Sequence, residues 1–358
     1  MKEPKKQGKL TVKPASAVKP GARAGIMEVA RLAGVSKSTA LRALTGVTLG
    51  ARRPALERAE RVRAVAAKLG YQPSEFARSL RAAHTRVIGL AVGCFSNRFF
   101  AGVAETAMDE AERHGYRTLL ELTRWNGEKS VDCLNHFRRL RMDGILYASA
   151  YSKEEFPLFN SFAAENYPLV MLHENDFGLP FVPRDVDKAL ADSVRHFASL
   201  GCPEIVFSAW NHRTPYDKHV IGVFRNVCAD CGVKASVHQP DVFSAMTALA
   251  AERPAAVIGN APYALETFLA AAEALPGYNP RVIGVYDEWN WTRPHRFLSG
   301  VVLVPGGEQV RRAVRLLLAR VEGRPDPGEG TIPAVFHPAA DFPSMPVAYD
   351  PYSHLVRY

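Results

Sequence analysis

From Thr85 onward, short apolar runs alternate with stretches long enough for a helix, and this rhythm most narrows what the chain can become. The runs Val87 to Val92, Thr118 to Leu122, Gly144 to Ala148, Leu169 to Leu172, Ile205 to Ser208, Ala256 to Gly259, Val282 to Tyr286 and Val301 to Val304 read as strands. Strand and helix in alternation predict parallel sheets wound by right-handed crossovers. About 260 residues of this pattern fit two Rossmann-like lobes with a cleft between them.

The first quarter has a different character. Residues 1–86 hold nineteen Lys or Arg against five Asp or Glu, a net +14, whereas the remainder carries −5 of the overall +9. Concentrated positive charge favours a polyanion through counterion release. Residues 1–25 taken alone read as a solvated basic, disordered tail, but they do not stand alone. They have no apolar stretch of a secretory leader, and no run of about eighteen apolar residues occurs anywhere. Five scattered cysteines, an odd number, argue against a disulfide framework. A cytoplasmic protein without a membrane partner is expected.

Ile26, Val29, Ala30 and Ala33 recur at helical spacing, and Gly34 ends that helix. Ser36 is placed as the N-cap of a second helix through Leu44, with Val35 at the corner between them. Two helices around a glycine turn form the helix-turn-helix pattern. A third helix begins near Pro54 and turns Leu56, Ala59, Val62, Val65, Ala66 and Leu69 inward before Gly70 stops it.

The stretch Met27 to Leu44 resembles the head of the lac repressor and galactose repressor family. Lys68 to Arg81 is similar to that family's third-helix end and hinge, and Arg86 to Leu90 to its first body strand. The body resembles the family's sensing domain, related to periplasmic sugar-binding proteins, at Ser96 to Phe100, Arg141 to Ile145, Leu200 to Ile205, Val282 to Asp287 and the helix Val310 to Glu322. The implied fold is a small all-α helix-turn-helix head plus an α/β, periplasmic-binding-protein-like body. The expected domains are a tail at 1–25, the head at 26–70, a hinge at 71–84, a two-lobed effector-binding and dimerisation domain at 85–346, and a C-terminal tail at 347–358.

The resemblance implies an operator DNA partner, a homodimer, a sugar-like effector and no cofactor. The second helix is expected in the major groove, with Lys37 and Ser38 reading bases and Arg42 reading a base or contacting phosphate, or else standing as a solvated charge. Ser36 and Thr39 are expected on phosphates. The hinge Ser74 to Arg81 has too small an apolar face to fold alone, so it is expected to become helical only when paired on DNA. By resemblance Leu80 wedges into the minor groove, Arg78 and Arg81 touch phosphate or the groove floor, and Ala77 permits close approach. The alternative is a plain linker with Leu80 packed on the body.

Small molecules bind outside the carboxyl ends of parallel strands. That rule selects Asn97, Phe99 and Phe100 after the first strand, Arg213 after the fifth, Asn260 after the sixth, and Asp287 and Trp289 after the seventh. A carboxylate with an indole suits a polyhydroxylated ring; packing is the alternative for Trp289, Trp291 and Phe100. The sequence departs from the family at Leu41, in a longer loop from Thr45 to Pro54, at Val186, at His219 or Val220 in place of an arginine, and at Asn260-Ala261 in place of Asn-Asp. A ligand-independent DNA binder is therefore a second reading, and a solute-binding transport protein a third. No nucleophile elbow, phosphate loop or metal-spaced histidine pair supports an enzyme. Cys228 and Cys231 read as a half-buried structural pair.

Overall fold

The computed structural model describes residues 25–44, 53–72, 84–209, 215–239, 244–291 and 294–345. The chain divides into two compact units, with the boundary between Thr85 and Arg86.

In the first unit, α1 (Ile26–Ala33), α2 (Lys37–Leu44) and α3 (Arg53–Lys68) enclose Val29, Ala30, Ala33, Ala40, Ala43, Ala59, Val62 and Ala66. Gly34 adopts a left-handed conformation, φ 67°, so that the Val35 amide donates back to the Ala30 carbonyl at 3.0 Å and α1 stops. The Ser36 hydroxyl then accepts from the Thr39 amide at 3.2 Å and starts α2. Six of the eight core side chains are alanine, which lets the helices approach closely. Leu56 does not join them and is 43% exposed. Helix α3 is twice as long as α1 or α2; its Ala59, Val62 and Ala66 are buried in the small core and its Val65 packs half-buried against it.

The second unit opens with β1 (Val87–Val92), α4 (Arg98–Arg113), β2 (Arg117–Leu122), α5 (Gly127–Arg139), β3 (Gly144–Ala148), α6 (Phe156–Ala164) and β4 (Leu169–Met171). They form a parallel sheet ordered β2-β1-β3-β4. A second lobe follows: β5 (Arg184–Asp185), α7 (Asp187–Ser199), β6 (Glu204–Ser208), α8 (Pro215–Asp230), β7 (Lys234–His238), α9 (Ser244–Ala251), β8 (Ala256–Gly259), α10 (Pro262–Glu273), β9 (Arg281–Asp287) and β10 (Leu298–Val304). After α11 (Gly306–Val321) and β11 (Ile332–Pro333), β12 (Val335–Pro338) ends the second sheet, ordered β12-β10-β9-β8-β6-β7 and antiparallel only at β12. The eight strands expected from apolar runs coincide with β1, β2, β3, β4, β6, β8, β9 and β10.

Each sheet is covered on both faces. Cys133, Leu134 and Phe137 of α5 with Phe159 and Phe162 of α6 fill one side of the first sheet, while α4 and α11 fill the other. Helix α11 follows a second-lobe strand yet buries Val310, Val314, Leu317 and Leu318 in the first lobe. The chain thus crosses between lobes before α7, before α11 and after α11. Gln309, fully buried, ties these crossings together: its Nε2 donates to the Leu172 and Val182 carbonyls at 2.8 and 3.0 Å. The short pair β5 and β11 binds the first crossing to the third. Arg315 adds a two-pronged ion pair to Glu329, at 2.6 and 2.5 Å, and reaches Glu110 of α4 at 3.1 Å. Among the described residues no helix is long and apolar enough to cross a membrane.

Two predictions concern stability. Ser36→Ala removes the α2 cap and should cost the head about 1 kcal/mol, read as faster amide exchange at Thr39. The hydrogen bond from Arg315 holds the Glu329 carboxyl below the ordinary 4.5, against the opposing effect of burial. A carboxyl lowered in the folded state stabilises above its unfolded pKa and loses that contribution as pH falls through the folded value. Glu329→Gln should therefore lower the Tm by about 4 °C at pH 7 and converge on the parent as the pH falls through the lowered value of the folded carboxyl.

Candidate DNA-reading head and ligand cleft

Helix α2 sorts its residues by size. Ala40 and Ala43 are buried against α1 and α3, which leaves Lys37, Ser38 and Arg42 exposed and Thr39 half-buried. The Ser36 hydroxyl lies 3.0 Å from that of Ser38 and 2.9 Å from that of Thr39, so three hydroxyls cluster at the exposed first turn. Hydroxyls and a cation at a helix N-terminus can meet phosphate oxygens and base edges together. Ser74, Ala77, Arg78, Leu80 and Arg81, the hinge residues singled out in the sequence, lie outside the described residues.

In the body the carboxyl ends of the two parallel sheets meet. Asn97 caps α4, its Oδ1 accepting from the Phe99 amide at 2.9 Å. Phe99 is half-buried and stands among three rings: edge-on to Phe100 at 5.1 Å and to Trp289 at 5.8 Å, and stacked on His173 at 6.2 Å. Phe100 and Trp289, each 7% exposed, belong to the apolar core of the first lobe. Their rings pack inside the protein, which is the packing alternative raised by the sequence. Trp291 does likewise in the second lobe, against Tyr286 and Phe342.

The turn after β9 is held by its own polar groups. Asp287 Oδ1 accepts from the amides of Trp289 and Asn290, each at 3.0 Å, and Oδ2 accepts from Asn290 Nδ2 at 2.8 Å. Burial raises the Asp287 carboxyl pKa despite these donors. Glu288 accepts from the Gly306 and Gly307 amides at 2.7 and 2.5 Å, so a carboxylate of the chain occupies the N-terminus of α11. Asn260, half-buried, donates its backbone amide to the Ser208 carbonyl at 2.8 Å. Arg213 lies outside the described residues.

Three features of this region did not emerge from the sequence. Trp125, after β2, is 55% exposed and its ring lies 6.1 Å from Phe100. Tyr263 at the start of α10 donates its hydroxyl to the Ser96 carbonyl at 2.5 Å, joining second lobe to first. His219 Nε2 lies 2.8 Å from Asp187 Oδ1 and Val220 is buried, so the imidazole is the polar group at the altered arginine position. The strand-end rule points to Trp125 as much as to Phe99; the other two needed the lobes assembled. Among the described residues no cluster of His, Cys, Asp or Glu is placed to hold a metal. All five cysteines are free thiols, and burial pushes the Cys228 thiol up to about 11.

Residues 25–74 match the model of "Bacterial regulatory proteins, lacI family". The ribose operon repressor of Bacillus subtilis is 35% identical over 162 residues, 45% of this chain and 47% of that protein. The catabolite repressor/activator of Escherichia coli K12 is 29% identical over 175 residues, 48% of this chain and 52% of that protein. The chain thus spans about half the length of these curated relatives, which are regulators by name. In fold it is similar to the lac repressor bound to ONPG, with a TM-score of 0.72, 16% identity, 88% of this chain and 98% of that one covered. A putative ribose operon repressor from Burkholderia thailandensis superposes with a TM-score of 0.61 at 18% identity, over 70% of this chain and 98% of the other. The head thus matches the lacI family model over residues 25–74, and the two-lobed body has the same fold as these repressors.

Proposed function

We propose that the chain is a sequence-specific DNA-binding repressor, a homodimer whose operator affinity is set by a small molecule held between the two lobes. The outward display of Lys37, Ser38 and Arg42 on a helix whose alanines face inward carries this reading, supported by the net +14 of residues 1–86. The readers are Lys37 and Ser38, with Ser36, Thr39 and Arg42 setting register on phosphate. In this reading residues 71–84 form the hinge, and Leu80 is its minor-groove wedge.

The effector is a sugar or sugar derivative. Asn97, Phe99, Arg213, Asn260 and Asp287 supply the polar groups and the ring face that such a molecule needs. Relatives are named for ribose and trehalose, which supports the class. Ligand binding shifts operator affinity only if it prefers one lobe arrangement. Ligand-independent repression is the second reading, favoured by the burial of Phe100 and Trp289 in the first-lobe core.

Selection of bound sequences from random DNA should return a near-palindrome for the full chain. Lys37→Ala should lose about 1–3 kcal/mol of preference at one base pair per half-site, and Leu80→Ala should bind about tenfold more weakly. Retained preference in the first variant, or unchanged affinity in the second, overturns that residue's role. Titration with a sugar panel, followed by Trp fluorescence and operator affinity together, should find a ligand that moves both. Silence in both signals across the panel selects the ligand-independent reading.

A further inference from the structure

Trp289 is carried by the second lobe, two residues beyond β9, yet its indole is buried in the core of the first. Two glycines make the room. A Cβ at Gly102, on α4, would be driven into the indole itself, and one at Gly306, at the start of α11, would lie 2.7 Å from its outer carbon. Phe99 closes the side at 5.8 Å. Behind the ring, Asp287 and Glu288 fix its backbone through the Trp289, Gly306 and Gly307 amides. At the rim the hydroxyl of Tyr263 bridges to Ser96.

We infer that Trp289 is a built-in occupant of the cleft, an aromatic wedge that fastens the second lobe to the first and excludes a ligand ring from the space between Gly102 and Gly306. A large ring packed closely against Gly102 and Gly306 forfeits its dispersion and burial if the lobes part, so the lobes stay in one arrangement until the ring withdraws. The wedge also decides specificity: a ligand must either fit beside the indole or displace it. The inference rests on packing inside the body and stands whether or not the head binds DNA.

Truncation tests it, because an apolar cavity of this kind stays dry and takes up small aromatic molecules. In the full-length protein Trp289→Ala should lower the Tm by about 10 °C. It should also speed amide exchange at least tenfold in peptides covering residues 98–104 and 306–310, and millimolar indole should reverse both changes. Trp291→Ala should lower the Tm while leaving exchange at 98–104 unchanged, since that ring packs within the second lobe alone. If the alanine variant does not fold, Gly102→Ala should displace the ring, shift Trp emission to the red and speed exchange at 306–310. Parent-like exchange at 98–104 in Trp289→Ala, acceleration spread evenly over the body, or no effect of indole overturns the inference, as does parent-like emission in Gly102→Ala.

Discussion

Helix α11 belongs to one lobe by connectivity and to the other by packing, and the rest of the body depends on that mismatch. It leaves β10 of the second sheet and immediately buries its apolar face against the first. Two lobes joined by single strands could drift; here the middle crossing is a helix start embedded in a core. Gln309 Nε2 bridges two carbonyls of the first crossing, and β11 pairs with β5 to hold the third. A primary amide suits this place because one nitrogen carries two protons and can satisfy two buried carbonyls at once. The ion pairs of Arg315 extend the same fastening to α4.

This arrangement explains which parts of the fold could be read in the sequence. Central strands such as β3, buried at every position, are continuous apolar runs and were legible. The edges β2 and β4 of the first sheet were legible too, but the edges of the second, β7 and β12, were not. In β7 the sequence Lys-Ala-Ser-Val-His meets a neighbour on one side only, and β12 is a short antiparallel addition ending in proline. Two-residue strands such as β5 have no periodicity to detect. Leu56 illustrates the converse error, in which a residue at the correct helical spacing finds no core above it.

The candidate site divides along a similar line. A side chain whose role is fixed within a few residues, such as the Ser36 cap, could be anticipated from local spacing, whereas Asn97, read from the sequence as a ligand residue, caps α4 with its Oδ1. Trp289 and Phe100 were visible as aromatics at strand ends, but only the approach of α4 and α11 decides that they face inward. The cleft polar groups are likewise committed to the chain itself. Asp287 accepts from two backbone amides and the Asn290 side-chain amide, and Glu288 from two backbone amides, so they act first as structural acceptors and would meet a ligand only with their remaining lone pairs.

The alanine-built core of the head has a thermal consequence. Side chains with a single carbon remove little apolar surface from water, so the unit has a small unfolding heat capacity and little free energy holding it. The body buries whole layers of Phe, Leu, Ile and Val on both faces of two sheets. Such a chain melts in stages, with its least stable cooperative unit at the end that displays Lys37 and Ser38. Warming would then unfold the head while the body remains folded.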